Sequence, residues 1–315
     1  MGLFSYFYRK TVVKRYDDDG IVKYFSYKDF DGLNAEPIEF KTPEENTIKG
    51  YIYSYPNYNK ENIIIFCHGI GGGHRSYMRE IETLCKNGYQ VVAYDNVGCF
   101  ESSGRDIRGF TESLNDLVSC ISYLEINKYL DNKKLSIIGH SWGGYAAGNI
   151  LNYYKDIHSI CVISGFVSLK LFAKSANKTF AKQIYNFEKH ANPKYVDSSS
   201  LDAFKNSEAN ILVIHSKDDY LVSYLVGAGY LKDNLEEKPN VKYLILENKK
   251  HNPNYSDEAI KCLYSFYEEF PRLQREKVLK TKEDKIEYMN KLDFYKMTEQ
   301  DPEVWKEIIN NIKRK

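Results

Sequence analysis

At 315 residues the chain is long enough for one large α/β domain or two small ones, and its 44 Lys and Arg nearly balance 43 Asp and Glu, leaving a formal net charge of +1. That balance gives the molecule no electrostatic reason to seek nucleic acid or another polyanion, so no nucleic-acid partner is expected. Six cysteines (Cys67, Cys85, Cys99, Cys120, Cys161 and Cys262) fall mostly within apolar runs, without a C-x-x-C pair. This usage excludes a disulfide framework or a zinc site and predicts reduced thiols in a cytoplasmic setting.

The aromatic stretch 1–8 precedes Arg9 and Lys10, the reverse of the basic-then-apolar order of a secretion signal. It predicts a short helix docked on the domain rather than a membrane-surface anchor. Tyr6 also breaks the myristoylation pattern. No later stretch approaches the ~18 uninterrupted apolar residues of a span, so no stable membrane insertion is expected. Residues 21–28 and 47–54 alternate apolar and polar side chains, as half-buried antiparallel strands do. Short, nearly continuous apolar runs then follow at 63–67, 91–94, 135–138, 160–163, 211–214 and 243–246, which suit parallel strands buried on both faces. Helical periodicity fills 79–87, 111–127, 143–154, 222–231 and 257–270. Strand alternating with helix in this way predicts an α/β fold, a mostly parallel doubly wound sheet with antiparallel strands at its start.

The interval 166–210 breaks that rhythm, because short connections are the rule in a compact domain. Val167, Leu169, Phe172, Ala176, Phe180 and Ile184 recur at near-helical spacing, while Lys170, Lys174, Lys178 and Lys182 step by four along the other face. A solvated amphipathic helix accounts for the pattern. Its place after a strand whose carboxyl end should border the site adds a second reading, a helical lid over about 167–209 whose apolar side roofs an acyl pocket. The tail beyond 272 is rich in Lys and Glu and lacks strand patterns. Within it, Asp301 and Pro302 read as an N-cap followed by proline at the first helical position, and Val304, Trp305, Ile308, Ile309 and Ile312 form one apolar face. That face predicts packing on the body of the chain or on a second copy, which keeps a homodimer open.

Chemistry concentrates at Gly139-His140-Ser141-Trp142-Gly143, a G-x-S-x-G run between the apolar segment 135–138 and the helix-like stretch 144–151. Alone the motif is compatible with a surface turn. In its strand-to-helix context it is a nucleophile elbow, a strained turn that lifts a serine hydroxyl above the sheet. Serine is a poor nucleophile at neutral pH and needs an imidazole base, which in turn needs a carboxylate. In an elbow fold these arrive in the order serine, acid, histidine. Of seven histidines only His251 follows the region expected to hold the acid, in a polar loop after the run ending at Leu246. The acid should leave the end of run 211–214, where Asp218 and Asp219 stand side by side. Two backbone amides should face the developing oxyanion. One belongs to Trp142, directly after the serine; the other should come from the loop 68–73, whose glycines permit close backbone approach. A dinucleotide role for that loop fails because the G-x-G-x-x-G spacing is not met.

Over residues 45–270 these motifs resemble those of the α/β-hydrolase superfamily, within it the serine aminopeptidase-like and monoacylglycerol-lipase-like group. The resemblance implies the fold, a Ser-Asp-His triad acting through an acyl-enzyme, and further residue roles. The ending Asp219-Tyr220-Leu221-Val222 resembles the family's D-x-x-V, whose aspartate is the acid, implying Asp219 and leaving Asp218 to bond nearby amides. The H-G-x motif implies Ile70 as the second oxyanion donor. Residues 95–102 resemble a D-x-x-G-x-G-x-S turn except that Phe100 replaces the second glycine, which joins Phe100 to Phe166 and Phe172 as expected pocket residues. The implied division is an α/β-hydrolase domain over 1–272 and a helical extension over 273–315. The expected activity is hydrolysis of a small-to-medium carboxylic ester, a small-molecule substrate, with no metal and no organic cofactor. An aminopeptidase, amidase or thioesterase on the same triad, and a hydrolase-fold protein that only binds a ligand, are the alternatives.

Overall fold

A computed structural model describes residues 3–314. The expectation for 1–8 therefore falls partly outside the described residues. Eight strands form one sheet: β1 (Asn34–Lys41), β2 (Thr47–Ser54), β3 (Asn62–Cys67), β4 (Gln90–Tyr94), β5 (Lys134–His140), β6 (Ser159–Ile163), β7 (Asn210–Ser216) and β8 (Val241–Leu246), in the order β1-β2-β4-β3-β5-β6-β7-β8. β1 and β2 pair antiparallel and β2 meets β4 antiparallel, while every pairing from β4 to β8 is parallel. Strands β4 and β6 are buried at every position, as β-branched runs covered on both faces must be.

Twelve helices cover the sheet and its carboxyl edge: α1 (Leu3–Thr11), α2 (Met78–Lys86), α3 (Glu112–Ile126), α4 (Trp142–Asn149), α5 (Leu169–Ala176), α6 (Ala181–Ala191), α7 (Ser200–Lys205), α8 (Ala228–Asn234), α9 (Asp257–Arg275), α10 (Lys282–Met289), α11 (Phe294–Met297) and α12 (Pro302–Lys313). One core cluster unites inward residues of β3, β5 and β7 with α3 and α4. A second joins the opposite sheet face to α2 and α12 through Ile81, Leu84, Trp305 and Ile308.

Residues 21–28 are not a strand. They form an irregular strap ending in a 3₁₀ turn at Tyr27–Asp29, and their alternation is met by Phe25 packing on Phe30 and Tyr295. The outer antiparallel strand is β1 instead. It holds Pro37, which an edge strand tolerates because one side of its backbone needs no ladder bond. The periodic stretch 167–184 divides into α5 and α6 rather than one helix, with Asn177 as the extended residue closing α5. Residues 222–231 begin as a 3₁₀ turn (Tyr224–Val226) before α8. In the tail, the Asp301 carboxylate accepts from the Glu303 and Val304 amides, and the apolar face of α12 is buried on the sheet of its own chain. Among the described residues no helix is long and apolar enough to cross a membrane, and all six cysteines are free.

Candidate active site

The chain passes from β5 into α4 through Ser141, whose backbone sits at φ 57° and ψ −115°. A non-glycine residue there carries strain of roughly 1–3 kcal/mol, which the surroundings must over-determine. They do so on both sides: a Cβ on Gly139 would fall on the carbonyl of Gly143, and one on Gly143 would fall on the carbonyl of Cys67. The Ser141 amide donates to the Ile163 carbonyl at 2.8 Å, fixing the turn to β6. Trp142 begins α4, so its amide has no acceptor one turn back in the helix. Its indole Nε1 donates to the Phe110 carbonyl at 2.5 Å.

The loop after β3 runs alongside, with Gly71 at φ 97°. The Asn96 amide donates to His68 Nε2 at 3.0 Å, so the ring's proton lies on Nδ1, which donates to the Gly69 carbonyl at 2.7 Å. Because a trans peptide points its C=O and N–H in opposite directions, holding the Gly69 carbonyl aims the Ile70 amide away from His68.

Asp219 and His251 meet across the ends of β7 and β8, with His251 Nδ1 2.8 Å from Asp219 Oδ2. The other carboxylate oxygen accepts from the Leu221 and Val222 amides, each at 3.0 Å. Burial alone would raise the Asp219 pKa, but hydrogen bonding from His215 and His251 holds it well below the ordinary carboxylate range. Asp218 turns the other way. It accepts from Ser216 Oγ at 2.5 Å and the Lys250 amide at 3.1 Å, and pairs with Lys250 Nζ at 3.0 Å.

A chain of hydrogen bonds not foreseen in the sequence ties these parts together. His140 Nε2 lies 2.7 Å from the His251 carbonyl, which can only accept, so the His140 proton is on Nε2. Nδ1 is then free to accept from the Tyr77 hydroxyl at 2.8 Å, and Tyr77 Oη accepts from the Gly69 amide at 3.0 Å. Burial, reinforced by neighbouring His251, lowers the His140 pKa to about 3, which keeps the ring neutral in this role. The His251 amide donates to Tyr264 Oη at 3.0 Å. The loop carrying His251 is also tied to the tail: Lys249 Nζ donates to the Tyr255 carbonyl and pairs with Asp257 and Asp301, each at 2.8 Å. Sequence signals existed only for His140, through its place inside the elbow, and for Lys249, through its place in the histidine loop.

Ser141, Trp142, Ile70 and His251 border one cavity of about 580 Å³, with Phe166 and Phe172 in its wall. These two rings stack with centroids 4.4 Å apart. Phe100 is not in that wall, contrary to expectation. At φ 34° its backbone takes a glycine-like conformation, and the ring lies behind Gly73, against Tyr24 at 5.1 Å and the Arg75 guanidinium at 5.5 Å. Outside the cavity wall, the buried Glu188 carboxylate of α6 accepts from the Phe110 amide at 2.7 Å and from the Thr111 amide and hydroxyl at 3.1 and 2.8 Å. Burial raises its pKa to about 7. Among the described residues no group of acidic, His and Cys side chains has the arrangement of a metal site.

A family model described as the prolyl oligopeptidase family matches residues 75–272, a span that contains Ser141, Asp219 and His251. The chain belongs to the prolyl oligopeptidase family. That family is one of serine hydrolases within the α/β-hydrolase superfamily, and the eight-stranded sheet agrees with that fold. It is similar to the proline iminopeptidase of Clostridioides difficile (strain 630), 28% identical over 117 residues, which make up 36% of this chain and 39% of that protein. The chain thus spans well under half the length of that relative. Uncharacterized protein R595 of Acanthamoeba polyphaga mimivirus is 24% identical over 246 residues, 75% of this chain and 82% of its own. Among solved structures, the esterase Pf2001 of Pyrococcus furiosus superposes with a TM-score of 0.59 at 21% identity, over 84% of this chain and 97% of that one. Esterases and peptidases therefore both stand among the relatives of this prolyl oligopeptidase family member.

Proposed function

We propose that the protein cleaves small-to-medium carboxylic esters through an acyl-enzyme, with Ser141 as nucleophile, His251 as general base, and Asp219 as the carboxylate that orients it. The observation that carries this reading is the 2.8 Å Asp219–His251 pair, whose histidine borders the same cavity as the strained Ser141. With its Nδ1 proton held by Asp219, His251 presents Nε2 to take the Ser141 proton as Oγ attacks the ester carbonyl. The carbonyl oxygen becomes an oxyanion, stabilised by the Ile70 and Trp142 amides, a kind of contact worth ~3–4 kcal/mol per donor. Collapse expels the alcohol, which takes the proton from His251. Water, activated by the same imidazole, then attacks the acyl-enzyme and releases the acid.

The iminopeptidase relatives suggest a second substrate class, peptides with a free amino terminus. An ammonium group brought into a half-buried cleft calls for a carboxylate partner. The residues bordering Ser141 and His251 comprise aromatic, aliphatic, Thr, Asn, Gly and His side chains, with no Asp or Glu among them, which favours a neutral ester.

Reaction of the purified protein with a fluorophosphonate probe, beside Ser141→Ala, tests the nucleophile: wild type should label and the variant should not. Turnover of p-nitrophenyl esters against proline p-nitroanilide tests the bond. Absence of labelling in wild type defeats the serine assignment, and faster anilide cleavage moves the protein to the peptidases.

A further inference from the structure

The cavity at Ser141 does not end at Phe172. Thr11, Val12, Phe110 and Phe172 border both it and a second cavity of about 610 Å³, open to solvent on one side, between α1 and the helices α5 and α6. The second cavity's walls include Phe4 and Phe7 from α1, Ala173 and Ala176 from α5, and Phe180 and Ile184 across the break and into α6. The helix that forms one side is held by aromatic contacts to the insertion, Phe4 on Phe180 at 5.6 Å and Tyr8 on Phe187 at 5.0 Å, and by Arg9 paired with Asp106 at 2.5 Å. Leu3, Phe7 and Phe180 remain 75%, 55% and 44% exposed around it.

Apolar walls of this extent gain free energy when an apolar occupant displaces the water that wets them. The cleft also continues the opposite way, past Gly69, Ile70 and Tyr77, into a pocket of about 320 Å³ bordered by Phe25, Phe266 and Met289 as well as Arg75, Ser76 and Asn252. Two continuations, on either side of one serine, match the two halves of an ester, and the chamber beside α1 is the larger and the more uniformly apolar of the two. A hydrolase must bury an apolar acyl chain but can leave a polar alcohol facing water.

We propose that the chamber between α1, α5 and α6 is the acyl site, and that it takes the unbranched alkyl chain of a medium-chain fatty acyl ester. The inference rests on the ester reading above. Each methylene that leaves water for the chamber is worth about a four-fold gain in kcat/KM until the chamber is filled.

The test uses p-nitrophenyl esters from butyrate to laurate, and laurate binding to Ser141→Ala by titration calorimetry. For wild type kcat/KM should rise at least ten-fold from butyrate to laurate, and laurate should bind Ser141→Ala. Ala176→Trp, which fills the chamber from an exposed position on α5, should lower the laurate-to-butyrate ratio at least ten-fold and abolish laurate binding. Phe4→Ala, which widens the opposite wall, should weaken laurate binding several-fold and serves if Ala176→Trp does not fold. A flat chain-length profile, or one that neither variant moves, overturns the chamber while ester turnover keeps the serine reading. Laurate binding that Ala176→Trp removes, in a protein that turns over no ester, keeps the chamber and defeats the esterase reading.

Discussion

The floor of the cleft and its cover are made of different materials. On the floor, Asp219, His251, His140 and Tyr77 stand on strand ends and the turns that follow them, and their side chains are held by partners at 2.7–3.0 Å around Ser141. The cover, α1 with α5 and α6, meets the cavity with Phe4, Phe172, Ala176 and Phe180, side chains that have no directional bonds to satisfy. A hydrogen-bonded floor tolerates one geometry, because any displaced buried donor or acceptor costs ~1–3 kcal/mol. An apolar cover tolerates many, since what it must match is volume and shape. The proposed reaction thus rests on the floor, and the proposed acyl selectivity on the cover.

The sharpest way to break this division is at the two adjacent aspartates, which differ in partner rather than in sequence context. Asp219→Asn should lower kcat by about 10³–10⁴-fold, because the amide no longer stabilises the imidazolium and the histidine loses its productive tautomer. Asp218→Asn removes only a loop contact to Ser216 and Lys250 and should change kcat by less than about five-fold. Steady-state turnover of a short p-nitrophenyl ester by both variants decides it. Comparable losses would mean that both aspartates serve the floor.

The inner parallel strands were legible because each is an apolar run buried on both faces, the edge strand β8 because it keeps such a run although only half-buried, and His251 because chain order left no rival. The strand β1 was not, since Glu36, Pro37 and Glu39 break its apolar pattern, whereas apolar and polar side chains alternate over 21–28. Period-two alternation records which residues are covered, and a strap lying on a helix and a turn can cover alternate residues as a sheet does. Nor could the Tyr77–His140–His251 chain be read: its links join residues 63 and 111 positions apart, and neither a tyrosine nor a histidine announces a partner so distant. The insertion was read as helical, but its division at Asn177 and the role of α1 as the facing wall depend on contacts between segments with no shared periodicity.

His140 offers a second way to sharpen the comparison, through pH. The folded protein holds this histidine neutral down to about pH 3, against an ordinary value of 6.5. Between those values the unfolded chain binds the extra proton, so the contribution is complete above pH 6.5 and is lost as pH falls through that window. By pH 5 the loss from this one group is about 2 kcal/mol. His140→Gln can keep one donor and one acceptor yet cannot titrate, so its chemical denaturation midpoint should fall less than that of wild type between pH 7 and pH 5. Parallel curves would show that His140 is not held neutral by the floor.

The smallest effect should come from Tyr77→Phe. Removing the hydroxyl strands the Gly69 amide and His140 Nδ1, loosening at once the loop that carries Ile70 and the carbonyl contact to His251. A loss of one to two such bonds corresponds to about a ten-fold fall in kcat. What distinguishes this positioning role from a packing defect is its uniformity. A floor variant weakens transition-state contacts common to every ester, so butyrate and laurate should lose in equal proportion with little change in KM. A cover variant alters the ratio between them. If Tyr77→Phe shifted the chain-length ratio, the hydrogen-bonded floor and the apolar cover would be coupled, and the acyl chain would help to set the geometry at Ser141 as well as fill the space above it.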